Sequence, residues 1–378
     1  MAASSSKYDI IIIRAGIAGS VLASRLHSSL PHLSILLIEA GPDASSNPLM
    51  TDIKNAFAVV NLDYHSPLYT QSTSSSGRVY PLRERVQAAW EAAGVKYIKD
   101  ADGGSPQGIA ELLENLNDRK RMVILLLSGI GPAEDLKSHG IKQVVESSYM
   151  GENLHGHMCV SQWWQLRNPE QGLSVGSPNF NTQLLEKGFS GDWVITRTVP
   201  HGGLKKALTA DEGQVDDQHP LLYPPRSHTE SFLVYVAGNP SDPVVILDGM
   251  HITTTVMGML PASRGTVKLA STDPATPPLI DNNYYATEAD RFVMRSGLRK
   301  VLQVMIETEE RRAMVKREAV AVGMKALSLA SSNEEVDELI RARRSVLPLP
   351  IASHIQACVY ALAEQAADII IQGRKGQK

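Results

Sequence analysis

The chain has 378 residues, 43% hydrophobic and 20% charged, a globular composition that excludes a disordered or fibrous chain. A net charge of −3 gives no electrostatic case for nucleic acid. Two cysteines, Cys159 and Cys358, are too few for a disulfide framework, and no apolar run approaches the ~20 residues of a membrane span. The start, Met-Ala-Ala-Ser-Ser-Ser, has neither the basic segment nor the apolar core of a secretory signal, so the expectation is a cytoplasmic protein with no membrane partner.

The first element is a short, almost purely apolar run, Asp9 to Ile13, suited to a strand buried on both faces of a parallel sheet. A small-residue turn, Ala15-Gly16-Ile17-Ala18-Gly19, follows it. Val21, Leu22 and Leu26 then recur at helical spacing. A second apolar strand, Leu33 to Ile38, ends on Glu39, about twenty residues past Gly19. Strand, turn, helix, strand and acid in this order point to a dinucleotide site. A turn without side chains lets a pyrophosphate approach the backbone, and the helix N-terminus binds its charge. Glu39 is placed to accept hydrogen bonds from a ribose. The first glycine of the G-x-G-x-x-G fingerprint is replaced by Arg14, which crowds the turn and is expected to impair binding.

Beyond it, Ile53 to Leu62 is apolar and of open type, and Ser72 to Gly77 is a connector by composition. Pro81 to Gly94 reads as a helix with Val86, Ala89, Trp90 and Ala93 on one face, and Val95 to Asp100 as a short strand or turn. A charged loop, Asn117 to Arg121, abuts the apolar run Met122 to Leu127. Positions 158 to 262 alternate apolar and polar segments, including Trp193 to Thr196, Ser231 to Val236 and Pro243 to Leu247, as in an antiparallel sheet. Helices are expected over Thr287 to Glu307, Glu334 to Arg344 and His354 to Gln372. His155 and His157 are two residues apart on a loop, but no Cys or carboxylate cluster accompanies them, so no metal is expected. Tyr284 and Tyr285 read as core or interface aromatics, and Arg119 to Arg121 as a solvated face.

Several stretches together carry a resemblance. Lys7 to Ile13 followed by Leu36-Leu-Ile-Glu-Ala-Gly-Pro-Asp43 resembles the start of the glucose–methanol–choline (GMC) family of FAD-dependent oxidoreductases. Leu127-Ser-Gly-Ile-Gly-Pro-Ala-Glu-Asp-Leu-Lys-Ser-His-Gly-Ile141 resembles a family signature. Gly151-Glu-Asn-Leu-His-Gly-His157 is similar to its G-x-N-L-x-D-H, with Gly156 in place of the aspartate. Ser263 to Pro274, Pro278 to Tyr285 and Pro348 to Asp368 resemble its C-terminal part.

The resemblance implies an α/β fold: a Rossmann-like FAD-binding domain of the GMC/PHBH type, and a second α+β substrate domain on a mixed, largely antiparallel sheet. It implies a shortened FAD-binding domain over 1–157, a substrate domain over 158–345, and a closing loop and helix over 346–378 that returns to the first. FAD is the implied cofactor and a small-molecule primary alcohol the implied partner, with the tail closer to the aryl-alcohol and secondary-metabolite branch. Ala15, Gly16, Gly19 and Glu39 would hold the cofactor, and His354 would be the catalytic acid/base. The family's other active-site histidine has no match, because no histidine lies between His251 and His354. The Gly-Gly…Asn-Gly segment after the second strand and the central insertion before Ser128 are missing too. These gaps leave a second reading: a catalytically inactive, truncated paralogue, or a gene product with mis-assigned introns.

Overall fold

The computed structural model describes residues 7–13, 17–38, 80–98, 107–111, 125–187, 190–273, 276, 278–346 and 353–375. In chain order the helices are α1 (Ile17–Ser29), α2 (Arg83–Ala92), α3 (Ala133–Ser138), α4 (His201–Glu212), α5 (Glu288–Glu307), α6 (Glu309–Met314), α7 (Asn333–Arg343) and α8 (Ser353–Lys375). The strands are β1 (Ile10–Ile13), β2 (Ile35–Ile38), β3 (Gly108–Glu111), β4 (Ile130–Gly131), β5 (Val145–Glu146), β6 (Met158–Leu166), β7 (Gly191–Arg197), β8 (Thr229–Val234), β9 (His251–Gly258), β10 (Thr266–Lys268), β11 (Leu279–Asp281), β12 (Val315–Ala319) and β13 (Arg344–Val346).

The chain divides into two compact units. One comprises Met1–Thr70, Glu114–Leu125 and Pro348–Lys378, the other Gln71–Leu113 and Leu126–Leu347. In the first, β1 and β2 pair in parallel, Ile10 opposite Ile35 and Ile13 opposite Ile38, with α1 as the crossover between them. Ile12, Leu26 and Leu30 form a small core with Ala367 and Ile371 of α8.

The second unit is built on a seven-stranded sheet in the order β12-β6-β9-β8-β7-β3, with β13 also paired to β6; all its pairings are antiparallel. The expected mixed, largely antiparallel architecture is therefore present. Successive side chains point to opposite faces of a strand. One face presents Val160, Trp164, Ile252, Val256, Leu233 and Ile195 to Leu298, Val301, Leu302 and Met305 of α5 in the main core. The helix approaches closely at Gly297, where a Cβ would lie 2.6 Å from Val256 Cγ1 and 3.1 Å from Thr229 Cγ2. The start of α5 is well capped. Thr287 Oγ1 accepts from the Asp290 N–H, and the Asp211 carboxylate accepts from the N–H groups of Glu288 and Ala289 at 2.8 Å each.

The helices expected near 81–94, 287–307, 334–344 and 354–372 form with boundaries moved by a few residues. Pro243 to Leu247, expected as a strand, is an exposed loop instead. Pro243 has no N–H to donate to a ladder; Pro243 and Val245 turn inward, Val245 pairing as an isolated bridge with Asn239, while Val244, Ile246 and Leu247 face solvent. Leu125 to Leu127 forms a single helical turn. Tyr97 makes only an isolated bridge to Ile109. The segments 53–62, 72–77 and 117–121 lie outside the described residues.

Candidate functional site

In the first unit the dinucleotide pattern takes physical form in the parallel pair and its crossover. Asp9 fixes where the second strand starts: its carboxylate accepts from Ser34 N–H at 2.8 Å and from the Ser34 hydroxyl at 2.7 Å. The backbone bond from Ser34 leads in holding the Asp9 carboxyl below its ordinary pKa. α1 begins at Ile17, four residues after β1 ends at Ile13, and its first N–H groups have no partner within the helix. Gly19 is buried within that helix. β2 ends at Ile38, immediately before Glu39. Arg14, Ala15, Gly16 and Glu39 lie outside the described residues.

α8 packs along α1. Arg25 pairs with Glu364 at 2.8 Å and with Asp368 at 2.6 Å, one turn apart on α8. All three side chains are half exposed, so apolar contact through Ala367 and Ile371 contributes more than the ion pairs. His354 is the second residue of α8, and its side chain lies outside the described residues.

In the second unit the sheet face opposite α5 is buried and polar. Register places Thr196, Glu230 and Met257 side by side on β7, β8 and β9. Val194, Phe232, Thr255 and Ser161 form the next row, with Ser161 and Thr255 hydroxyls 3.0 Å apart. Thr196, Glu230 and Thr255 are all at least 97% buried. Buried hydroxyls and a carboxylate among apolar neighbours require hydrogen-bond partners, as Ser161 and Thr255 supply to each other. Sequence reading had not singled out Glu230, Thr196 or Thr255. Their only signal was period-two alternation, which gives two faces without saying what each face meets.

Other expected features resolve into structure. His155 is exposed and its Nδ1 lies 2.9 Å from Asn153 O. Among the described residues no group of three or more His, Cys, Asp or Glu is placed to hold a metal ion. The space left by Gly156 is taken by Tyr284, whose hydroxyl would lie 2.7 Å from a Cβ there. Tyr285 is a core residue bonded to Asp337. No helix of the described residues is long and apolar enough to cross a membrane.

His228 is buried and structural. Its Nδ1 accepts from Val199 N–H at 3.3 Å, so the neutral ring carries its proton on Nε2 and donates it to Leu221 O at 2.7 Å. Burial, helped by the Arg226 charge and opposed by the Leu221 bond, lowers its pKa. A histidine pKa lowered by folding adds stability that is complete above the unfolded pKa and lost as pH falls. The melting temperature is therefore expected to fall between pH 7.5 and pH 5, and the fall to be smaller in a His228→Gln variant. Equal slopes in the two proteins would remove His228 from the account.

Comparison with known proteins agrees with this geometry. Residues 261–347 match the family profile described as GMC oxidoreductase. The chain is 27% identical over 524 aligned positions to the GMC-type oxidoreductase acuG of Aspergillus aculeatus, covering 97% of this chain and 99% of that protein. That aligned length exceeds the 378 residues here, so the relative carries internal segments without counterpart in this chain. An alcohol dehydrogenase [acceptor] of Pseudomonas putida is 25% identical over 70% of this chain and 45% of its own; the chain spans about half the length of such relatives. In fold, it matches a formate oxidase of Aspergillus oryzae RIB40 studied for FAD modification, with a TM-score of 0.74 and 18% identity over 100% of both chains. The parallel β1–α1–β2 unit, the antiparallel second unit and these matches lead to one conclusion: the chain is similar to GMC oxidoreductases, in family profile over 261–347, in sequence over nearly its whole length and in fold.

Proposed function

We propose that the protein is an FAD-dependent oxidoreductase that oxidises the CH–OH group of a primary alcohol, of the aryl or secondary-metabolite kind, by hydride transfer to flavin. The observation that carries this reading is the β1–α1–β2 crossover, with α1 opening at Ile17 and β2 ending beside Glu39. Ala15, Gly16, Gly19 and the first N–H groups of α1 would hold the pyrophosphate, and Glu39 the ribose hydroxyls. FAD bound there supplies the two-electron acceptor for the substrate hydride. His354 takes the hydroxyl proton as general base. The division into 1–157, 158–345 and 346–378 remains part of this reading, supported by the packing of α8 on α1.

A second reading, a relative that has lost activity, is favoured by Arg14 at the first fingerprint glycine and by the segments that the Aspergillus aculeatus relative has and this chain lacks. A side chain forced into that turn costs roughly 1–3 kcal/mol. Arg14→Gly is therefore expected to tighten FAD binding about tenfold or more, read by flavin fluorescence titration. No tightening would assign the defect to the absent segments.

The deciding experiment is the visible spectrum of the purified, desalted protein, followed by release of flavin on denaturation. Near-stoichiometric flavin, with alcohol-dependent bleaching that His354→Ala loses, supports the enzyme. A folded, colourless protein that takes up no added FAD overturns it.

A further inference from the structure

We propose that His228 is a pH-operated latch that holds the lobe 198–228 against α5 near neutral pH and releases it in acid, while the sheet stays folded. The lobe is the connection between β7 and β8, which pair with Arg197 opposite Thr229, so its two ends meet. His228 fixes that neck: its N–H donates to Arg197 O at 2.8 Å, and its carbonyl accepts from Met259 N–H at 2.9 Å. Inside the lobe, Leu204, Leu208, Val215 and Leu222 form a small core with Ala289 and Val293 of α5, separate from the main core. Asp211 adds its two bonds to the first turn of α5. A unit with its own small core can open without unfolding the sheet.

The ring joins the lobe's entry to its return. Nδ1 accepts from Val199 N–H at 3.3 Å, and Nε2 donates to Leu221 O at 2.7 Å, with Thr198 Oγ1 3.2 Å from Nδ1. Protonation turns Nδ1 into a donor facing the Val199 donor, so that bond is lost and a charge is left in a buried position. In the open lobe the ring meets water and carries the proton freely, so acid shifts the balance toward opening. The Arg226 charge, on the same loop, opposes protonation of the closed form. The other histidines of the lobe act the opposite way. His201 lies 3.8 Å from Asp217, which Lys205 also meets, and His219 lies 3.3 Å from Glu212. Acid charges both rings and strengthens their pairs, so they cannot drive the opening. The latch is independent of the flavin reading.

The test is hydrogen–deuterium exchange of the full chain at pH 7.5 and pH 5, corrected for the chemical exchange rate at each pH. In acid, protection of the lobe and of the first turn of α5 should fall about tenfold or more, while β6 and β9 keep theirs. His228→Gln, which keeps an acceptor and a donor but cannot be charged, should remove the pH dependence. Arg226→Gln should move the midpoint of opening to higher pH. Circular dichroism confirms that each variant is folded. Unchanged protection of the lobe in acid, an equal loss across β6 and β9, the same acid response in His228→Gln, or an unmoved midpoint in Arg226→Gln overturns the proposal.

Discussion

Replacing Asp337 with alanine is expected to destabilise the second unit by about 3–5 kcal/mol, the range for removing one partner of a buried ion pair. Asp337 on α7 accepts from Arg295 Nε and Nη2 on α5, each at 2.6 Å, a bidentate pairing. It also accepts from the Tyr285 hydroxyl at 2.6 Å, and Arg341 lies 3.7 Å away. Burial alone would raise the Asp337 pKa, but the bonds from Arg295 and Tyr285 outweigh it and hold the carboxyl below its ordinary range. Burial, and then the bond to Asp337, raises the Tyr285 pKa. Tyr285 also sits at φ +66, in the left-handed region that disfavours a side chain, so the bond holds a strained backbone in place.

Alanine would leave the tyrosine hydroxyl and most of the guanidinium buried without a partner. Urea unfolding should show the midpoint falling with an unchanged slope, and Asp337→Asn should lie between the two. A carboxylate whose pKa is lowered by folding adds stability that is present above the unfolded value and lost as pH falls through the folded one. The difference between parent and Asp337→Asn should therefore narrow below about pH 4. A loss under 1 kcal/mol for alanine would show that the α5–α7 contact rests on apolar packing.

A second buried pair should behave differently. Arg343, the last residue of α7, donates from Nη1 to Glu318 Oε1 at 2.6 Å, both side chains 98% buried. Gln162 Nε2 donates to the same oxygen at 3.0 Å, and Arg343 Nη2 to Ala319 O at 3.2 Å. Yet Glu318 Oε2, Arg343 Nε and Gln162 Oε1 find no hydrogen-bond partner among the described residues. The network is half satisfied, and such networks compare poorly with apolar packing. Arg343→Met alone is expected to cost about 3–5 kcal/mol, because it strands Glu318. The double variant Arg343→Met, Glu318→Leu should return to within about 1 kcal/mol of the parent or exceed it. A double-mutant cycle in urea reads both. An additive double variant would show that the pair does not couple. Arg343 immediately precedes β13, which pairs with β6.

The first unit was legible because its evidence is local. Four apolar residues, a small-residue turn and a helical repeat give a strand and helix whatever the rest of the chain does, and Glu39 follows at a fixed distance. The same holds for α5, where Thr287 supplies the cap and the apolar stripe the buried face. Pro243 to Leu247 has a strand-like composition but forms no strand, because among the described residues it pairs only through the single Asn239–Val245 bridge.

What the sequence determined by itself is most of the elements, the strand–helix–strand order of the first unit and the resemblance to GMC oxidoreductases, all carried by short-range patterns of type and spacing. What only the tertiary structure decided is which buried polar groups meet: Arg295 and Tyr285 on Asp337, Arg343 and Gln162 on Glu318, and Glu230 beside Thr196. Those residues come together through strand register and helix packing across long stretches of chain. Alternation gives a residue's face but not its neighbour on the next strand, so no spacing in the sequence could have announced them.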